Sequence, residues 1–335
     1  MIRILRTITL NSYIYIAVVT ILSSMVNSQA RENFTSVEYD IKGYLEYEYR
    51  YFPQNDNKKI ASKFNHSIST SFDLFVGFTE DDLFLIFTPF LRLDQKDPAR
   101  TILDINEFYL AINKSDWELK IGSKQLFWGV LESNHLVDIV NQTNAAENID
   151  LEDKLGQPML NFTMVSEWGV FDVFLLAMQR KRRFSSEEGR PHTGFEPFLK
   201  NGAFDDRGEN FDYIFRYENS GTLFDLGLYY FEGLARSPIF ISENPETPQD
   251  SLVAYPKINQ FAADLQITLA NTLLKFEGLY RKSRVDDNGA FGIGFEHTLY
   301  GIFGSNNDLG VLAEYHWDSR DSDTVFQFSN DLFFG

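Results

Sequence analysis

The chain has 335 residues, no cysteine, 32 Phe and 16 Tyr beside only 4 Trp, and a formal net charge of -18. Without Cys there are no disulfide scaffolds, thiolate metal centres or cysteine nucleophiles. The acidic balance argues against nucleic acid as a partner, whose phosphates call for a basic face.

Residues 1–30 read as a separate object. Arg3 and Arg6 precede an apolar run at 14–22, and Ser28 and Ala30 are small residues before a cleavage point. The pattern predicts a secretory signal peptide cleaved after Ala30. A single membrane anchor is the alternative, but the run falls short of the roughly 20 residues a spanning helix needs. Residues 31–335 hold no other long apolar run. If this part sits in a membrane, it has to be a closed β-barrel, because only helices and barrels satisfy every backbone group in lipid.

The first predicted strand, VEYDIKGYLEYEYRY at 37–51, has two unlike faces. Val37, Tyr39, Ile41, Leu45, Tyr47, Tyr49 and Tyr51 share one parity; Glu38, Asp40, Lys42, Glu46, Glu48 and Arg50 share the other. Period-two alternation predicts about fourteen strands in all. The others run over 63–79, 83–94, 102–113, 117–128, 160–166, 170–182, 210–218, 222–233, 260–269, 273–284, 290–300, 309–318 and 324–334. Tight connections (TEDD, KSD, EWG, NSG, ANT) alternate with longer or more charged ones, notably 129–159, 181–209 and 234–259. Short turns on one side and long loops on the other are the pattern of outer-membrane barrels. The strands also approach or exceed the 9–11 residues of a tilted membrane crossing, against about 5–6 in soluble sheets. The expected fold is therefore all-β: one antiparallel transmembrane β-barrel of about 14 strands, residues 31–335, in the bacterial outer membrane. A soluble sandwich would turn the same apolar faces into a core.

At 103–129 the sequence reads LDINEFYLAINKSDWELKIGSKQLFWG. The acidic EFYL strand, tight turn and W-x-L-x-I-G-x-K-Q-x-x-W-G run resemble Gram-negative outer-membrane porin-like barrels of the alginate-export and substrate-specific porin type. The resemblance covers this segment best and brings no catalytic residue with it. Gly122 and Gly129 suit bends or close backbone approach in a barrel wall. Such barrels end on an aromatic residue read by the barrel-assembly machinery. Here Gly335 follows Phe334, so fourteen strands are expected, or 16–18 if the chain continues beyond this point.

The search for chemistry is brief. There is no GxSxG, HExxH or phosphate loop, and His66, His135, His192, His297 and His316 show no ligand spacing. His316, inward beside Glu314 and Asp318, is a metal ligand only as the lesser alternative to a solvated lumen residue. Ser133 and His135 are the one candidate pair for a lipase-type site. No cofactor or resident metal is expected. Asp286, Asp287, Asp321 and Asp323 are loop carboxylates through which calcium or magnesium would bridge to lipid phosphates.

The charges say more. Inward parity collects Glu38, Asp40, Lys42, Glu46, Glu48, Arg50, Glu107, Lys120, Lys124, Asp225, Asp264, Lys275, Glu277, Glu296 and Glu314. Carboxylates dominate, so these pore-lining candidates predict a wet lumen that favours cations or neutral polar solutes; the same charges could instead pair and brace a narrow barrel. A second group sets Glu147, Asp150, Glu152 and Asp153 of the 129–159 connection against Arg180, Lys181, Arg182 and Arg183. These form either a channel constriction or, for the basic cluster, a rim contact to lipopolysaccharide phosphates. The expected function is a porin-like, non-enzymatic channel for small hydrophilic solutes, with outer-membrane lipid and lipopolysaccharide as surroundings. The alternatives are a binding or scaffold barrel that contacts polysaccharide or protein through its long loops, and a barrel lipid hydrolase.

Overall fold

The computed structural model describes residues 37–54, 61–78, 82–186, 188–190, 211–241, 252–284, 287–320 and 328–335. The predicted signal peptide, His192, Asp286, Asp321, Asp323 and much of the 181–209 and 234–259 connections lie outside the described residues.

Among the described residues fourteen strands form one antiparallel sheet, each paired with the next sheet strand along the chain, the ninth with the tenth across a small separate hairpin. They are β1 (Val37–Tyr51), β2 (Phe64–Phe78), β3 (Leu83–Asp94), β4 (Ile102–Asn113), β5 (Trp117–Lys124), β6 (Gln157–Ser166), β7 (Gly169–Leu176), β8 (Asp212–Ser220), β9 (Phe224–Leu234), β12 (Lys257–Leu269), β13 (Thr272–Ser283), β14 (Asn288–Leu299), β15 (Leu309–Asp318) and β16 (Asn330–Phe334). A separate hairpin of β10 (Ile239–Ile241) and β11 (Leu252–Ala254) sits in the connection between β9 and β12. That hairpin is too short for its alternation to stand out in the sequence.

Alternation decides which face is which, and the two faces invert the rule for a soluble protein. Ile41, Leu45, Ile68, Phe72, Ile121, Phe215, Phe261 and Ile293 are exposed on the outside. Ser67, Ser69, Ser71, Asn161, Asp172, Gln260, Glu277 and Glu314 are buried on the inside. Buried polar groups beside a wide exposed apolar band are the informative departure from ordinary burial.

The sheet is curled around its own interior. Ser133 bonds Glu314 on β15 and Glu147 bonds Arg50 on β1. Those strands are twelve spacings apart, about 58 Å in a flat sheet. The fourteen residue-to-residue steps from 133 to 147 reach about 50 Å even when fully extended. Only a curled, barrel-like sheet brings both strands to one segment. Among the described residues no pair joins β1 to β16, and β1 presents exposed residues along nearly its whole length.

Two strands stop earlier than alternation predicts. β5 ends at Lys124 instead of continuing to 128, and β7 at Leu176 instead of 182. At Gln125 the chain turns inward: the Leu126 N–H donates to the Asn141 side chain at 2.9 Å and not to a neighbouring strand. The last strand begins at Asn330; residues 324–327 of the expected strand lie outside the described residues. Pro89 sits in β3 at a register shift, where Thr88 faces Glu107 and Pro89 faces Ile105, leaving Asn106 as the extra residue. The bulge accommodates a residue with no N–H to give the ladder.

Gly122 holds φ +139°, and a Cβ there would lie 2.2 Å from the Phe108 carbonyl oxygen. Gly122→Ala is expected to destabilise the β4–β5 seam by about 1–3 kcal/mol, read as a lower denaturation midpoint of the folded barrel. An unchanged midpoint would show that the close approach is not needed.

Candidate functional site

The site is the segment between β5 and β6, residues 125–156, which folds inside the barrel. Buried Asn141 ties its two ends together, with its amide donating to the Lys124 carbonyl at 2.8 Å and the Leu155 carbonyl at 2.9 Å. Two wall carboxylates then hold its backbone. Glu277 on β13 accepts from the N–H groups of Val130, Leu131 and Val137 at 2.7, 3.0 and 3.2 Å. Glu314 on β15 accepts from Glu132 and Ser133 N–H at 2.8 and 2.9 Å. A carboxylate bonded by several backbone N–H groups makes strong charge-assisted contacts. Lys275 on β13 adds an ion pair to Glu132 at 2.7 Å and another to Glu296.

The opposite side of the segment is held by arginines. Arg92 of β3 pairs with Glu147 at 2.5 Å and with Glu48 at 3.0 Å. Arg100, just before β4, reaches Glu48 at 2.6 Å and Asp94 at 3.0 Å, and donates to the Glu147 carbonyl at 3.0 Å. Arg50 donates to that same carbonyl at 3.1 Å. Arg236, past the end of β9, donates to the Val140 carbonyl at 3.0 Å and pairs with Asp212 at 2.8 Å. Between these anchors the segment is greasy. Trp128, Val137, Ile139 and Val140 pack against inward Phe174, Ile214, Phe231 and Ile258, and Trp128 meets Phe174 and Tyr229 at ring distances of 5.5 and 5.2 Å. The barrel interior is thus part apolar core and part charged lining.

The expected lining residues divide accordingly. Glu38, Asp40, Lys42 and Glu46 on β1 are exposed, with Lys42 paired to Asp40 at 2.6 Å. Glu107, Lys120, Lys124, Asp225 and Glu296 are partly buried. Lys120 pairs with Glu118, and Lys124 lies 4.9 Å over the Tyr109 ring. Asp264 is buried and accepts from the Tyr229 hydroxyl. Lys275, Glu277 and Glu314 lie beneath the folded-in segment, where they act as its anchors.

In the second group, Glu147 is buried against Arg92 and Arg100, while Asp150 and Glu152 are exposed and Asp153 is half-buried. The basic cluster meets other partners. Arg180 pairs with Asp104 at 2.9 Å, Arg182 donates to Gln142 Oε1 at 3.3 Å, Arg183 donates to the Thr101 carbonyl at 3.2 Å, and Lys181 is exposed. Arg92, Arg100, Arg236 and Asn141 therefore carry contacts that sequence reading did not single out. Arg92 stood on inward parity in an otherwise apolar strand, which was a usable signal; Asn141 gave none.

His316 is buried, with Ser133 Oγ at 2.7 Å from its Nε2 and 2.5 Å from Glu314 Oε2. Its Nδ1 is buried without a hydrogen-bond partner, so no carboxylate orients the ring from behind as a nucleophile relay requires. His135 stands apart, edge-on to Phe127 and 3.8 Å from Glu152. Among the described residues no group of three His, Asp or Glu is arranged to hold a metal ion.

Burial pushes the carboxyls of Asp138, Glu147 and Asp153 above their ordinary values, whereas the Lys275 ammonium holds Glu132 below its own. A raised carboxyl contributes stability below its unfolded pKa and loses it as pH rises through the folded one. Asp138, Glu147 and Asp153 therefore tighten the segment as pH falls through their raised values, while His135, whose imidazole burial pushes below its ordinary value, loosens it on taking up a proton. With His135→Gln removing the opposing group, limited proteolysis at the exposed Ile149–Asp150 turn should slow as the solution is acidified, and adding Asp138→Asn should weaken the trend. Faster cleavage on acidification would reverse the assignment.

No protein-family model matches the chain, and no curated protein matches it. Among solved structures it is similar to OmpT, an outer membrane protein of Vibrio cholerae, in its trimer form: TM-score 0.47, 8% identity, 84% of this chain and 77% of that one. It is also similar to Salmonella typhi OmpF in complex with daunomycin (0.43, 8%, 90% and 85%) and to Pseudomonas putida OprB (0.41, 10%, 88% and 78%). Likeness at this level assigns no family; the fold stands on its own strand order and curl.

Proposed function

We propose that the chain is a porin-like channel of a bacterial outer membrane, passing small hydrophilic solutes, with residues 125–156 as its constriction. The observation that carries this reading is the inward segment, pinned by buried charges inside a barrel whose outside is apolar. The exposed band of Leu, Ile and Phe is what a hydrocarbon surface calls for. At one end Tyr49 and Tyr51 stack on Phe64; at the tight-turn end stand Trp117, stacked on Phe162, and exposed Trp168. Aromatic girdles of this kind mark the two interfaces of a membrane barrel.

The exposed carboxylates Glu38, Asp40 and Glu46 supply a field that favours cations or neutral solutes over anions. Residues 1–30 serve in this reading as the export signal and 31–335 as the barrel domain. Lipopolysaccharide and the assembly machinery complete its surroundings. The likeness of residues 103–129 to the alginate-export and substrate-specific porin type rests on sequence pattern.

Planar-bilayer recording tests the reading. The purified protein should give discrete steps with cation preference, and Glu38→Gln, Asp40→Asn and Glu46→Gln together should move the reversal potential toward that of a non-selective pore. Glu277→Gln with Glu314→Gln should loosen the segment and give larger or noisier steps. A protein that inserts without steps would sink the channel reading.

A further inference from the structure

The early end of β5 leaves a gap in the wall beside β4. β4 is paired to β5 only from Phe108 onward, so Ile102–Glu107 have no β5 residue opposite them. Gly156 fills part of the space: a Cβ there would lie 2.5 Å from the Asn106 carbonyl oxygen and 2.6 Å from that of Ile105. On the luminal side, between the wall and the folded-in segment, a cavity of about 310 Å³ remains. That is the small end of the range for small-molecule pockets. Tyr44, Phe90 and Phe127 are its aromatic lining, and its charged lining is Asp104, Glu147, Glu152 and Asp153 against Lys154 alone.

The cations around this cavity are already engaged. Buried Asp138 holds Lys154 at 2.9 Å, and Asp104 holds Arg180. Arg92 and Arg100 are shared between Glu147 and Glu48, with Asp94 on Arg100 as well. Arg183 has Asp104, Glu147 and Asp97 about it. Glu152 is left with His135 at 3.8 Å, and among the described residues no cation pairs with Asp153. Arg92 and Arg100 act on Asp153 from further off, yet burial and neighbouring Asp150 hold its carboxyl above its ordinary value. Two buried oxygens of the lining also lack donors: Asn144 Oδ1 and the second Glu147 oxygen, Oε2. Asn144 is 6% exposed and Glu147 5%. A buried acceptor without a donor is costly, and an ammonium group carries donors and no acceptor.

We propose that this cavity is a subsite for a small organic cation, a primary ammonium on a short hydrocarbon body. Its N–H groups meet Glu152, Asp153 and the unpartnered oxygens of Asn144 and Glu147, and its body lies against Tyr44 and Phe127. The proposal deepens the channel reading by naming a solute class at the constriction, and rests on that reading only for the ligand's being cargo. The excess of carboxylate selects the sign of the head. The orphaned acceptors select a head with N–H donors. Tyr44 and Phe127 are exposed, and an aromatic face attracts a cation as readily as it covers a hydrocarbon chain. The Phe90 ring already carries Arg92, 5.8 Å from its centre. A bare metal ion would leave the aromatic lining unused, and among the described residues no three His, Asp or Glu are arranged to hold one.

The test is calorimetric titration of the full chain in phosphatidylcholine nanodiscs with phenethylammonium chloride, referenced to empty nanodiscs. Saturable binding is expected, and neither phenethyl alcohol nor phenylacetate should compete. Glu152→Gln with Asp153→Asn should weaken binding about tenfold, the scale of one charge-assisted hydrogen bond. Phe127→Ala should weaken phenethylammonium more than methylammonium. Asp116→Asn removes an exposed turn carboxylate away from the cavity and should leave the affinity unchanged. Equal losses in Asp116→Asn and in the double variant would overturn the subsite, because net charge alone would then hold the cation. Magnesium chloride competing as well as methylammonium would overturn it too, as the cavity would then take any cation. Conductance steps without saturable binding would leave the channel and remove the subsite; saturable binding without steps would do the reverse.

Discussion

The interior of this barrel depends on two carboxylates that serve the backbone of another segment. Glu277 and Glu314 stand two strands apart on the wall, and together they accept N–H bonds from Val130, Leu131, Glu132, Ser133 and Val137. A segment with no strand partners still has to place its amides, and an unbonded buried amide costs about 1–3 kcal/mol. The wall carboxylates meet that demand, and the segment in turn covers them from water. Neither arrangement is favourable alone: bare carboxylates under an apolar segment would be unpaired buried charges.

The anchors also explain why the interior is mixed. Where Trp128, Val137, Ile139 and Val140 press on β7, β8, β9 and β12, the wall answers with Phe174, Ile214, Phe231 and Ile258. Where the segment is charged or exposes its backbone, the wall answers with Arg92, Arg100, Arg236 and Lys275. The lumen is therefore complementary to one folded segment, and open water is confined to what that segment leaves free, including the β1 face with Glu38, Asp40 and Glu46. The same departure of β5 from the wall that supplies the segment also produces the gap beside β4. One turn at Gln125 thus accounts for both the filled interior and the breach in the wall.

Much of the fold was legible because strand alternation is a local property. The parity of residues 37–51 assigns each side chain to a face without reference to anything distant, and register pairs such as Leu269 with Thr272 follow from short turns. The strand ends were less legible. Residues 125–128 continue the alternation of β5, yet the Asn141 amide, sixteen residues beyond Gln125, captures the chain first. The candidate site was legible in kind and not in pairing. Sequence alone left the 180–183 cluster either facing the acidic segment or standing at the rim; Glu147 meets Arg92 and Arg100, while Arg180 meets Asp104.

The sequence by itself determined the number of strands to within the short hairpin, their antiparallel order and the identity of their two faces, because all of these repeat every two residues along the chain. Only the tertiary structure decided which inward charges meet water and which hold the folded-in segment. That choice turns on contacts between residues more than 140 positions apart, such as Val130 with Glu277 and Ser133 with Glu314, and no local period records them.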